Sequence, residues 1–389
     1  MGKELIKQFL ARKKPTGLLL KVLLLGAVFA ILFLSAKGFN TGYKITDQPA
    51  TKIPPPIPKV TLESIFTKPN VLGAFDQSKL ITLIATGDVI PARGANWPAS
   101  KSGDFTYNWK KTADFLKRGD LTLINLEAPL MKGCQLKSEG FTFCGDARHI
   151  NGIVFAGVDS VSLANNHIGN FGQPGLNETI NLLETNKIGW SGFGHLDIHQ
   201  VKGIKFGFLA YNGVGAAFNQ EVITSEIKES KGKVDVLVVS AHWGAEYELV
   251  PKAAPGVAPD DPREIAHLII DSGADLVIGN HPHTVQGVEI YKGKLITYAH
   301  GNFIFDQTWS QETQEGVVGE YTFYAFPETL AKEDTSELKG QTLEAKLVNV
   351  RFYPILVDSS YQPRFLPEKE GAHILNRMLE SSNLIKTSP

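Results

Sequence analysis

The sequence predicts an α/β domain with mixed sheets, preceded by one N-terminal membrane helix. Three observations predict it. β-Rich apolar runs alternate with helical patterns from residue 80 onward. Strand patterns without intervening helices follow toward the C-terminus. Ahead of both stands a lysine-flanked apolar stretch long enough to span a membrane. Layered α/β packing buries such alternating elements, and the hairpins make the sheets mixed rather than purely parallel.

The N-terminal elements come first. Residues 1–16 carry Lys3, Lys7, Arg12, Lys13 and Lys14. Residues 17–36, GLLLKVLLLGAVFAILFLSA, form the expected transmembrane anchor, since about 20 apolar residues cross the hydrocarbon core as a helix. Lys21 sits near the cytoplasmic end, where it can snorkel. A basic flank stays inside, so the expectation is a single-pass cell-membrane protein with a cytoplasmic N-terminus and an extracellular body. A cleaved signal peptide is the rival reading, but Leu34, two positions before Ala36, fits the small-residue cleavage pattern poorly. Residues 37–78 include QPATKIPPPIPKV, a proline-rich stalk or linker expected to be extended. The remaining body, 79–380, is expected to be one domain.

Composition bounds the partners. The chain has 389 residues, 43% of them hydrophobic, and a formal charge of −1, so nothing in its net charge points to nucleic acid. Cys134 and Cys144 lie in GCQLKSEGFTFCG. In an exported protein such a pair reads as one disulfide pinning a loop, with two free thiols as the alternative. A zinc site is disfavoured because no further cysteine could complete it.

Along the body, strands are expected at 80–86, 121–125, 158–164, 204–212, 234–240 and 275–279, and a hairpin at 288–299 around Lys292-Gly293. Helices are expected at 108–118, with Trp109, Ala113 and Leu116 on one face, and at 174–187, with Leu176, Ile180 and Leu183 in helical register. The helix at 262–272 is the best marked: Asp261 caps it, Pro262 opens it, Glu264 completes a capping box and Gly273 stops it.

The strand ends share a chemistry. Asp88 and Arg93 follow the first run, Glu127 the second, Asn165, Asn166 and His167 the third, His242 and Glu246 the fifth, and His281 and His283 the sixth. One Asp or His after a strand is ordinarily a turn former or a satisfied core group. Two carboxylates, an amide and three imidazoles together make a mixed oxygen–nitrogen ligand set for a divalent ion. Without an ion, Asp88 and Glu127 in one pocket would repel each other. Pro282 stiffens the gap between His281 and His283, so both imidazoles could reach one pocket from a single loop.

The ordered motifs TGDVIPARG, INLEAPL, SLANNHIGNFGQPG, SAHWGAEYE, IGNHPHTVQ and YAHGNFIFDQ resemble the CapA family of poly-γ-glutamate capsule biosynthesis proteins, from about residue 80 to about residue 310 with a looser tail. The resemblance implies a calcineurin-like metallophosphoesterase fold, an α-β-β-α sandwich of two mixed sheets flanked by helices. It implies metal ligands at Asp88, Glu127, Asn166, His242, His281 and His283, with His167 as proton donor. Arg93 would hold a substrate carboxylate or phosphate, or else form a structural ion pair. The implied cofactor is a divalent metal ion (Mn, Zn, Fe or Mg). The implied partners are an anionic cell-envelope polymer, poly-γ-glutamate foremost, the membrane, and capsule synthetase subunits. The expected function is a metal-dependent hydrolase or transferase, with a non-catalytic polymer-binding or export component and a phosphoesterase as alternatives. Ile90 stands where the metallophosphoesterase pattern Asp-x-His has its histidine, which puts a second ion in doubt.

Overall fold

Alternate residues of the central strands bury on opposite sides, and that alternation sets two sheets face to face with helices outside. The structure is a computed structural model that describes residues 56–67, 69, 71–327 and 343–387. The chain divides into the units Met1–Pro54 and Pro55–Pro389, and all described residues belong to the second. The expected basic segment at 1–16 and anchor at 17–36 lie outside the described residues. Among the described residues, no helix is long and apolar enough to cross a membrane.

In chain order the strands are β1 (Leu80–Val89), β2 (Leu121–Leu126), β3 (Leu130–Met131), β4 (Gly145–Asp146), β5 (Ser160–Ser162), β6 (Gly189–Ser191), β7 (Asp197–Val201), β8 (Ile204–Asn212), β9 (Val236–His242), β10 (Leu276–Asn280), β11 (Val288–Tyr291), β12 (Lys294–Thr297), β13 (Asn302–Ile304), β14 (Glu315–Pro327), β15 (Leu343–Val357) and β16 (Pro363–Phe365). The larger sheet has the order β16-β15-β14-β1-β2-β5-β6, with β13 beside β1. The second has the order β11-β12-β10-β9-β8-β7, and β3 pairs with β4 apart from both. β1, β2, β5 and β6 are mutually parallel, as are β8, β9, β10 and β12, while β14–β16, β7 and β11 join antiparallel. The sheets are mixed, as the hairpin patterns predict.

The inner core joins Ile81, Leu83 and Ala85 of β1 to Val236 and Val238 of β9 and Leu276 and Ile278 of β10. Their neighbours point outward. Ile84 packs under Leu183 of helix α1 (Gly172–Thr185) and the short helix Ile150–Phe155. Leu237, Val239 and Val277 pack under α2 (Gln220–Lys231) and α3 (Pro262–Ser272). A final helix, α4 (Glu368–Thr387), reaches the inner core through Ile374 and Met378. Each fully buried Val, Leu or Ile contributes about 1.5–3 kcal/mol, so strands buried on both faces hold the layers together.

Two expectations are revised. The helix expected at 108–118 is regular only over Ala113–Leu116 after a 3-10 turn at Tyr107–Trp109. Buried Asn108 turns its amide onto the carbonyls of Ala95 and Tyr361, which competes with helical propagation. The compact unit begins at Pro55, well before the boundary expected at 79: Ile65 and Phe75 of the supposed linker are 2% and 6% exposed in the core. The strand β7 and helices α2 and α4 carry no marked signal in the reading above.

Candidate metal centre

β1, β2 and β5 run parallel in one sheet, and β9 and β10 run parallel in the other. Their carboxyl ends deliver side chains to a common point, as open α/β sheets do. Ligand atoms of Asp88, Glu127 and His242 lie within 4.8 Å of one another, and so do those of Glu127, His281 and His283. Glu127 belongs to both groups, so the five residues form one cluster. None of the five is more than 3% exposed.

Backbone geometry aims the last loop. His281 (φ 98°) and His283 (φ 57°) adopt left-handed conformations on either side of Pro282. Such strain in non-glycine residues persists only where the surroundings fix it. The fixing contacts are visible: the His281 N–H points at Asp88 Oδ2 (3.4 Å), and His283 Nδ1 meets Asn302 Oδ1 (2.9 Å) and Asp88 Oδ2 (3.2 Å). Gly87 allows the close approach of β1 to the 300–302 segment, since a Cβ there would lie 1.9 Å from the Gly301 carbonyl.

Asn125, inside β2, is the hub of the outer contacts. Its Nδ2 donates to Asp88 Oδ1 (2.8 Å) and faces His242 Nδ1 (3.5 Å). Its Oδ1 accepts from Asn165 Nδ2 (3.1 Å). Asn165 Oδ1 in turn accepts from the backbone of His167 and Ile168, which sets the loop carrying Asn166 and His167. Asn166 Oδ1 reaches His242 Nε2 at 2.9 Å. Asn302 spends its Nδ2 on Gln307 Oε1 and the Thr313 carbonyl, so it braces His283. Glu246 Oε1 lies 3.9 Å from His281 Nε2.

The electrostatics are unbalanced in a way a cation would correct. Burial first, then the Asp88 charge, push Glu127 well above the ordinary carboxylate range. Burial also opposes ionisation of Asp88, but the His283 contacts outweigh it and hold that carboxyl low. His283 moves the opposite way: burial favours its neutral form, yet the Asp88 hydrogen bond and the Glu127 and Asp88 charges raise it to about 9. Burial depresses His242 to about 3 and, with the neighbouring imidazoles, holds His281 well below the usual range.

Neither oxygen of Glu127 and neither ring nitrogen of His281 has a hydrogen-bond partner, although all four atoms are buried. A buried unsatisfied polar group costs about 1–3 kcal/mol. Two orphaned side chains side by side, one acidic and one a neutral imidazole, are the donor set a divalent ion completes. The residues present therefore fit a metal.

The other expected site residues lie around this cluster. His167 is half-buried, its Nδ1 is 3.2 Å from Asn170 Oδ1 and its ring is 4.3 Å from that of Phe143. Burial, with smaller effects of His242, His283 and Arg93, lowers it to about 4, so it is neutral at pH 7. Arg93 is engaged: its guanidinium pairs with Asp306, and its Nη1 donates to the Gly140 carbonyl. The structural ion pair is thus the arrangement present. Ile90 is fully buried among Ala92, Ala128, Phe143 and Phe305, and supplies no ligand. Cys134 and Cys144 are joined in a disulfide. Reading by residue type alone missed Asn125. Its signal is a lone amide inside the apolar run LTLINL.

Comparison with known proteins places these features in a family. The capsule biosynthesis protein CapA of Bacillus anthracis is 25% identical over 272 residues, covering 62% of this chain and 64% of that protein. The PGA biosynthesis protein CapA of Bacillus subtilis (strain 168) is 28% identical over 213 residues, covering 48% and 54%. The chain thus spans less than two thirds of the length of either relative. Among solved structures, a putative 5'-nucleotidase from Staphylococcus aureus in complex with alpha-ketoglutarate aligns over 77% of this chain and 58% of its own, at 15% identity and a TM-score of 0.41. The family model described as bacterial capsule synthesis protein PGA_cap matches residues 82–307, more than half of the chain, and the chain belongs to that family.

Proposed function

We propose that the chain is a membrane-anchored, extracellular protein of poly-γ-glutamate or related capsule-polymer synthesis, whose body is a metallophosphoesterase-like α-β-β-α sandwich acting as a metal-dependent hydrolase or transferase. The observation that carries the catalytic reading is the orphaned pair of Glu127 and His281 beside Asp88, His242 and His283. The family of the chain supports the polymer. The apolar run at 17–36 and its basic flank support the anchor. The Cys134–Cys144 disulfide suits an oxidising compartment.

A divalent ion held by Asp88, Glu127, His242, His281 and His283, with Asn166 beside them, would polarise a carbonyl or phosphoryl oxygen and acidify water. The chain supplies the rest. His167 is neutral at pH 7, and its Nδ1 faces the carbonyl oxygen of Asn170, so Nδ1 carries the hydrogen and Nε2 is the free acceptor. Nε2 takes the proton of the attacking nucleophile and returns it to the leaving group. The expected donor role is therefore the second half of a base–acid cycle. Asn302 and Asn125 keep His283 and Asp88 oriented.

The test uses the full chain purified in detergent, stripped by a chelator and resupplied with manganese or zinc. Bound metal, lost in Asp88→Ala and Glu127→Ala, and metal-dependent shortening of poly-γ-glutamate are expected. A chain that takes up no metal ends the enzymatic reading. A non-catalytic polymer-binding role has one observation in its favour, the apolar surroundings of Ile90. It predicts metal uptake without turnover on the polymer. Turnover of a generic aryl phosphate, lost in Asp88→Ala, would instead mark a phosphoesterase.

A further inference from the structure

Outside the metal cluster, the molecule has a cavity of about 240 Å³ whose walls include Arg93, Lys132, Lys137, Phe171 and the Cys134–Cys144 disulfide. No carboxylate lines it. Among the described residues, the ammonium groups of Lys132 and Lys137 have no ion-pair partner. Arg93 also lines the cavity, its charge paired with Asp306. Its side chain is 9% exposed, and its buried Nε has no acceptor even though Nη1 and Nη2 are used.

The cavity is coupled to the chemistry through Phe143. That ring packs 4.3 Å from His167 and 5.5 Å from Phe305, and Arg93 lies over both Phe143 (4.9 Å) and Phe305 (5.1 Å). Phe305 in turn packs 5.4 Å from His283. The Phe143 N–H donates to Asn170 Oδ1, the same oxygen that meets His167 Nδ1. The disulfide closes at Cys144, next to Phe143 in the chain, and so ties the cavity wall to the segment whose ring packs on His167.

Apolar groups separate the cations. Phe141 (70% exposed), Leu136 (45%) and Phe171 (38%) stand on the same loop and rim. Cations alternating with apolar surface match a chain of carboxylates borne on an aliphatic backbone better than a continuous phosphate chain, whose charges leave no apolar stretch. We infer that this disulfide-closed cavity is an anion subsite in which Lys132 and Lys137 hold carboxylates of an acidic polyamide while the bond to be broken lies at the metal cluster. The inference rests on the function proposed above for that cluster.

The experiment measures fluorescence anisotropy of a fluorescein-labelled oligoglutamate with the full chain in detergent, at low and moderate salt. Wild type is expected to bind, more weakly as salt screens the lysines. The double variant Lys132→Glu/Lys137→Glu is expected to bind about tenfold more weakly, the sum of two reversed exposed ion pairs. Lys132→Gln/Lys137→Gln should fall between, and both should keep the wild-type metal content. In the Asp88→Ala background, which should lose metal, Lys132→Glu/Lys137→Glu should still weaken oligoglutamate binding about tenfold. Failure of the cluster as an enzyme is thereby read separately from failure of the subsite. Unchanged affinity in both lysine double variants overturns the inference. So does equal binding of a labelled oligoglutamine, or displacement of oligoglutamate by short polyphosphate at a lower concentration than by unlabelled oligoglutamate.

Discussion

Glu127 is fully buried with neither oxygen hydrogen-bonded, Oε1 lying 3.3 Å from a neutral His242, so its ionisation is a burden on the metal-free fold. Its folded pKa is raised above its unfolded value. The stability linked to its proton is therefore fully present below the unfolded pKa and lost as pH rises through the folded one. Glu127→Gln should raise the stability of the metal-free protein by about 1–3 kcal/mol at pH values above the ordinary carboxylate range, the scale of one unsatisfied buried group. The gain should disappear in acid. Calorimetric melts of chelated wild type and variant at several pH values check this, and a gain independent of pH would refute it. Metal affinity has the opposite pH trend. An ionised Asp88 can only accept, so His283 Nδ1 is the donor to it, and the second proton that keeps His283 cationic up to about 9 must leave Nε2 before that nitrogen can bind a metal. This makes affinity rise with pH up to about 9, by up to about tenfold per unit for the proton displaced, and the raised Glu127 carboxyl acts in the same direction. Titration calorimetry in buffers of different ionisation heats counts the protons. At this scale the sequence was half legible. Charged and imidazole residues after apolar runs stand out. Asn125 does not, because an amide's partners depend on which strands become neighbours.

Where a stop or cap signal coincided with the hydrophobic period, the elements were legible. The helix Pro262–Ser272 matches the expected bounds, and Asp261 accepts from the Arg263 N–H (2.8 Å). The 288–299 hairpin turns at Lys292 (φ 49°) and Gly293 (φ 76°), the two left-handed residues that a two-residue hairpin needs. Where side chains bond to backbone, as at Asn108, the helical pattern misleads. The element that matters most to the site is β1. Its Gly87 meets the Gly301 carbonyl with no room for a Cβ, and the next residue, Asp88, donates its N–H to that same carbonyl (3.0 Å). Gly87→Ala should push β1 from the 300–302 segment and cost about 1–3 kcal/mol as an overpacked contact. Because Asp88 moves with it, metal affinity should fall as well. Denaturant melts and metal titration of that variant provide the check. A variant of normal stability and affinity would show that the strand ends have slack.

Across the whole molecule, the cluster joins the carboxyl ends of two layers that elsewhere meet through the apolar inner core and a few polar contacts such as Ser160 Oγ to Asp197 Oδ2 (2.6 Å). Asp88 and Glu127 come from the larger sheet, and His242, His281 and His283 from the second. The strand ends could be collected from the sequence, but their division between two sheets could not. Parallel apolar runs carry no mark of which sheet they join, and the register that brings β1 near β10 is set by the inner core. The division has a thermodynamic consequence. An ion bound across the cluster cross-links the layers and stabilises only the state in which they are packed. At an ion concentration about 100-fold above Kd, the added stability is about 2.7 kcal/mol. Removing a ligand from either side should abolish that increment, so Asp88→Ala and His242→Ala should both melt at the same temperature with and without metal. His167→Ala, which leaves the cluster whole, should keep the metal-induced shift while losing about 10²–10⁴-fold in turnover as a proton-transfer group. Thermal melts of the four proteins with and without added manganese or zinc separate the cases. A shift surviving in Asp88→Ala but not in His242→Ala would mean that the ion is held by the second sheet alone, and the bridging arrangement would then be wrong.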